Sequence, residues 1–119
     1  MILGIGCDIV EIARFEKFLD KKNYLEKIYT QKELKELENI QNKRRKLEYL
    51  ASRYAVKEAL SKALGVGISK QFSFKDAEVH KDELGKPYIN YKNYKSHLTI
   101  SHTKDTAIAF VILENKEEI

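Results

Sequence analysis

The sequence predicts an α+β fold in which one long helix is laid on a small antiparallel sheet. Helix-period segments fill the first half, up to Gly65 and Gly67, and period-two alternation takes over from Phe72 onward. Helices grouped first and strands later segregate into separate layers and do not build a parallel βαβ sheet. At 119 residues and 43% hydrophobic content, the chain makes a single domain over 1–119, with a modest core that would profit from oligomer burial.

Each element has its own signal. Met1 to Cys7 is apolar and glycine-bearing, which predicts a short buried strand over 2–8. Asp8 falls where that strand would end, placed to cap a helix beginning near Glu11 and running over 11–22. A short helical or turn segment follows to about residue 28, and Thr30 with Glu33 has the spacing of a capping box that seeds a helix over 31–41. Residues 42–46 read as a loop and 47–64 as the long helix, which Gly65 and Gly67 end. Strands are expected around Phe72 and Phe74, Val79, Tyr88 with Asn90, Leu98 with Ile100, and Ala107 to Leu113. Lys104-Asp105 between Thr103 and Thr106 marks a hairpin turn, Asp82 to Pro87 a second one holding Gly85, and Glu114 to Ile119 a tail.

Composition excludes several classes. No apolar run is long enough to span a membrane, and residues 1–7 lack the basic start and cleavage pattern of a signal peptide, so a cytoplasmic protein is expected. The one cysteine, Cys7, rules out an intrachain disulfide framework or a multi-cysteine zinc site and reads as a packing residue in its apolar strand. The net charge of +4 is unevenly placed, with Lys43-Arg44-Arg45-Lys46 forming a compact basic run. Read alone, that run points to a polyanion, but the chain carries no RRM, KH or zinc-finger signature, and nucleic acid is not the expected partner.

The long helix holds the most informative residues. Glu58 and Lys62 stand one turn apart in a stretch of otherwise small and apolar side chains. Tyr49, Val56, Leu60 and Ala63 fall on one side, and Leu47, Ala51, Tyr54 and Ala55 on the other. Two readings stand: an ion pair on a solvated face, contributing about 0.2–0.5 kcal/mol, or buried charges that need a partner ion, metal or ligand to offset desolvation. Asp8 and Glu58, drawn from separate elements, would make a site of the Mg²⁺ type, which takes one or two carboxylates plus substrate phosphates. Ser101 and His102, neighbours on a strand, point to opposite faces and make poor partners for nucleophilic catalysis. His80 and His97 have no ligand at metal spacing and read as surface or strand-end residues.

Four blocks carry a resemblance over essentially the whole chain. Gly6-x-Asp8 with Ile12 and Arg14-Phe15, then Arg53-x-x-x-Lys57-Glu58-Ala59-x-x-Lys62-Ala63-x-Gly65, then Gly85-Lys86-Pro87 and Ser101-His102-Thr103, resemble the holo-acyl-carrier-protein synthases, the short bacterial 4′-phosphopantetheinyl transferases. The resemblance implies transfer of 4′-phosphopantetheine from coenzyme A to a serine hydroxyl of apo-acyl carrier protein, leaving adenosine 3′,5′-bisphosphate, in support of fatty acid biosynthesis. It implies Asp8 and Glu58 as ligands of Mg²⁺, with Lys62 completing the catalytic set by steadying phosphate or leaving oxygen. The serine proton would go either to Glu58 or to a water on the metal ordered by the two carboxylates. Coenzyme A would be held by Arg45 and Arg53, then Arg44 and Lys43, with Gly65, Lys86, Pro87, His102 and Thr103 near the nucleotide. Arg14, Phe15 and Lys21 would dock the acidic carrier, with Lys17 extending the patch, and the family's homotrimer would place active sites between subunits. Tyr54 stands where relatives often carry phenylalanine.

Overall fold

A computed structural model describes residues 1–116. Strand β1 (Ile2–Glu11) leads through a 3-10 segment (Ile12–Phe18) to helices α1 (Lys22–Ile28), α2 (Gln31–Glu38) and α3 (Lys43–Leu64). A second 3-10 turn (Phe74–Asp76) precedes β2 (Val79–Lys81), β3 (Pro87–Ile89), β4 (Tyr94–His102) and β5 (Thr106–Asn115). The expected α+β architecture is present: β1, β5 and β4 form an antiparallel sheet in that order, β2 and β3 pair as a hairpin, and α3 packs across β1 and β5.

The long helix is buried on most of its circumference. Leu50, Ala51, Ala55, Val56, Ala59 and Leu60 are all fully buried, and each large apolar side chain so buried contributes about 1.5–3 kcal/mol. Polar side chains share that interior. Lys57 Nζ pairs with Glu33 Oε1 at 2.9 Å and donates to the Ala77 carbonyl, while Glu33 also accepts from the backbone amides of Thr30 and Val79. This ion pair ties α2, α3 and the start of β2 together, and the Thr30–Glu33 capping box is formed as its spacing predicts.

Several expectations need correction. β1 continues to Glu11, so Asp8 lies within the strand, opposite Ala109, and neither ends it nor caps a helix. The helix expected over 11–22 is a 3-10 segment, because its only buried residues, Ile12 and Phe15, are three apart, the period of that helix. The basic run sits in the first turn of α3, not in a loop, because Asn42 caps the helix by accepting from the Arg45 amide. Phe72 is buried in a connection and Phe74 opens a 3-10 turn, so neither is in a strand. Cys7 is exposed, and β1 is not buried on both faces: Ile5 and Ile9 are 56% and 63% exposed. Glu114 and Asn115 belong to β5, not to a tail; residues 117–119 of that expected tail lie outside the described residues.

Candidate active site

Two glycines bring Asp8 to the long helix. A Cβ on Gly6 would sit 1.8 Å from the Ala59 carbonyl oxygen, and one on Gly4 would sit 1.9 Å from that of Ala63. Only glycine facing alanine lets the β1 backbone approach α3 this closely. Asp8, two residues beyond Gly6, shares its strand face and so arrives beside the last turns of the helix. There Lys62 Nζ donates to Asp8 Oδ1 at 3.0 Å and to the Cys7 carbonyl at 3.1 Å. The bland reading of a Glu58–Lys62 surface pair does not hold, since among the described residues Lys62 pairs with Asp8.

Glu58 is half-buried on the same side of α3. Burial, and then the negative charge of Asp8, push its carboxyl above the ordinary carboxylate range, against the opposing influence of Tyr54, Lys62 and Arg14. Asp8 Oδ2 is buried and has no hydrogen-bond partner. Two carboxylates held near each other, with one oxygen unpartnered, are a donor set that a hard divalent cation satisfies. No third acidic, histidine or cysteine ligand joins them among the described residues, which suits a cation completed by water and phosphate oxygens.

A second feature lies round the helix. A cleft of about 280 Å³ is lined by Arg45, Arg53 and Tyr49 of α3, with Pro87, Ile100 and His102 opposite. Arg53 is 7% exposed, lies 4.2 Å from the Tyr49 ring centroid, donates to Ser52 Oγ at 3.0 Å and leaves its Nε without a partner. A buried guanidinium lacking a carboxylate is an anion site in waiting. At about 100° per residue, Arg53 and Glu58 point about 140° apart on α3. Within one chain the cleft and the carboxylates therefore face different directions.

The remaining sequence-derived candidates scatter. Gly85 and Pro87 border the cleft, whereas Lys86 is exposed and outside its lining. Thr103 Oγ1 accepts from the amides of Asp105 and Thr106 and so serves the β4–β5 turn. Lys43 pairs with Glu16 at 2.8 Å, and Arg44 with Glu48 at 3.1 Å and the Lys104 carbonyl, and neither Lys43 nor Arg44 lines the cleft. Gly65 ends α3 with φ +80°. Phe15 cannot dock a partner, because it is fully buried with its ring 5.3 Å from that of Tyr54; its neighbour Arg14 is exposed, as is Lys21. Tyr49 and Ser52 also line the cleft, and neither stands out in the sequence as a binding residue. The helical period places Tyr49 on an apolar face, and nothing local in sequence reveals that Arg53 folds back over its ring.

The family profile described as the 4′-phosphopantetheinyl transferase superfamily matches residues 4–111. The chain belongs to that superfamily. Among its relatives, the holo-[acyl-carrier-protein] synthase of Staphylococcus carnosus is 45% identical over 115 residues, covering 96% of this chain and 98% of the relative. A crystal structure of a holo-(acyl-carrier-protein) synthase from Bacillus anthracis, in complex with CoA (3′,5′-ADP), superposes with a TM-score of 0.91 at 45% identity, covering 98% of this chain and 99% of that one. The holo-[acyl-carrier-protein] synthase of Neisseria meningitidis superposes with a TM-score of 0.86 at 34% identity, covering 97% and 100%. The transferase fold expected from the sequence is thus the fold this superfamily member adopts. No helix among the described residues is long and apolar enough to cross a membrane.

Proposed function

We propose that this chain transfers 4′-phosphopantetheine from coenzyme A to a serine hydroxyl of apo-acyl carrier protein, as a cytoplasmic Mg²⁺-dependent step supporting fatty acid biosynthesis. The observation that carries the reading is the Asp8–Glu58 pair, whose mutual repulsion and orphaned Asp8 oxygen call for a cation. Asp8 and Glu58 would hold Mg²⁺, which when bound neutralises charge on the pyrophosphate. The exposed ammonium of Lys62, anchored by Asp8, would reach the same phosphates. The serine oxygen forms a new bond to the phosphorus that carries pantetheine, and that phosphorus loses its bond to the oxygen of adenosine 3′,5′-bisphosphate. The serine proton passes to Glu58 or to water beside it. Arg53 and Arg45 would receive the phosphates of the nucleotide in the cleft.

The separation of the two half-sites supports assembly with another copy of the chain, which in this reading is the homotrimer. The outer face of the sheet is apolar and open, with Ile9 opposite Ile108 and Cys7 opposite Phe110, and Phe110 is 38% exposed. A second copy covering this face would remove apolar surface from water and bring one chain's cleft to the next chain's carboxylates.

Intact-protein mass spectrometry tests the reaction. Apo-acyl carrier protein incubated with this protein, coenzyme A and Mg²⁺ should gain the mass of one phosphopantetheine, and should gain nothing with EDTA or with Glu58→Ala. No gain on several folded carriers would sink the reading.

A further inference from the structure

Arg53 and the carboxylate of Glu36 meet the same aromatic ring without pairing with each other. The guanidinium carbon of Arg53 lies over the face of Tyr49, 4.2 Å from the centroid, and Glu36 of α2 meets the hydroxyl end of that ring. Both oxygens of Glu36 already have donors: Oε1 accepts from the Tyr49 hydroxyl at 2.7 Å, and Oε2 from Lys32 Nζ at 3.1 Å. The same hydroxyl lies 3.1 Å from the Glu33 carbonyl oxygen, which ties the far edge of the ring to α2. Arg53 donates only to the neutral Ser52 Oγ among the described residues, and its buried Nε has no partner. Tyr49, Ser52 and Arg53 all line the cleft.

We propose that Tyr49 is a positioning residue that keeps Arg53 free for a phosphate: its ring carries the guanidinium, and its hydroxyl holds Glu36 away from it. A buried guanidinium with a carboxylate in reach would pair with it, because an unpaired buried charge is costly and a carboxylate fits its fork. Such a pair would fill the donors that a phosphate needs, since both anions compete for the same fork. An aromatic face offsets part of the desolvation by cation–π attraction and leaves the N–H groups available. The two charges still sense each other, for Arg53 is among the positive groups that lower the Glu36 carboxyl. What the tyrosine hydroxyl supplies is a competing donor at the carboxylate.

The inference rests on the transfer reading, in which the phosphate belongs to coenzyme A, and the test separates the two. Isothermal titration calorimetry would measure coenzyme A binding to wild type, Tyr49→Phe, Glu36→Gln and the double variant. Tyr49→Phe keeps the ring but releases Glu36, and should weaken binding about three- to tenfold, the effect of compromising one charge-assisted contact. Glu36→Gln alone should change affinity less than about twofold, yet in the Tyr49→Phe background it should restore binding to near the wild-type value. In steady-state transfer the Tyr49→Phe loss should fall on KM for coenzyme A, with KM for the carrier unchanged. Unchanged affinity in Tyr49→Phe, no rescue by Glu36→Gln, or equal gains from Glu36→Gln in both backgrounds would overturn the inference while leaving the transfer reading intact. Wild type that binds no coenzyme A would sink both.

Discussion

Burial and the neighbouring charge of Asp8 both oppose ionisation of Glu58, and its carboxylate carries a stability cost that a bound cation would offset. Because Glu58 ionises less readily in the fold than free, its carboxylate is destabilising at neutral pH unless a cation compensates. Glu58→Gln should therefore lower transfer by about a hundredfold or more while leaving the thermal midpoint equal to or above that of wild type, as differential scanning calorimetry would show. Millimolar Mg²⁺ should raise the wild-type midpoint and leave that of Glu58→Gln unmoved. Glu36 behaves in the opposite way. Burial alone would raise its carboxyl, but hydrogen bonds from Tyr49 and Lys32 and the nearby positive charges hold it below its ordinary range. Its contribution is present above the unfolded value and is lost as pH falls through the lower folded one. Melting curves between about pH 3 and 6 should accordingly show a shallower acid loss for Glu36→Gln than for wild type.

Elements decide where those residues stand, and here the sequence was partly legible. The capping box at Thr30–Glu33, the left-handed Gly65 that ends α3 and the tight turn from Thr103 to Thr106 all rest on local chemistry, and each is where its residues predict. The apolar run of β1 suggests burial in sequence, whereas Ile5 and Ile9 form an open face and the strand runs on past Asp8. A compact basic run in sequence suggests a loop, but Lys43 to Lys46 form the first turn of α3, where the Asn42 cap and the carboxylates of Glu16 and Glu48 offset the repulsion from the helix dipole. Phe15 and Arg14 are adjacent in sequence, yet adjacent residues on a helix point in different directions, and one faces the core while the other faces water. The β1–α3 contact depends on missing side chains. Gly6→Ala should destabilise the protein by the upper part of the about 1–3 kcal/mol range for overpacking or more, seen as a lower urea midpoint, since its Cβ meets the Ala59 backbone. Lys57→Met should cost about 3–5 kcal/mol by the same measurement, because it strands Glu33 as a buried unpaired charge.

For the whole molecule, the basic cleft and the carboxylate pair lie on different faces of one helix. Motif residues were legible as types, but their division between two faces follows from the helical angle between Arg53 and Glu58, and a reaction needing both implies a second copy. Chain exchange tests that division directly. Glu58→Ala keeps an intact cleft, and Arg53→Gln keeps an intact carboxylate pair. Each variant alone should transfer poorly. Co-refolded at equal amounts, random assembly would pair a sound cleft with sound carboxylates in about a quarter of the sites, so transfer should recover to about a quarter of the wild-type rate. A mixture no more active than the two separate variants would contradict a site shared between chains.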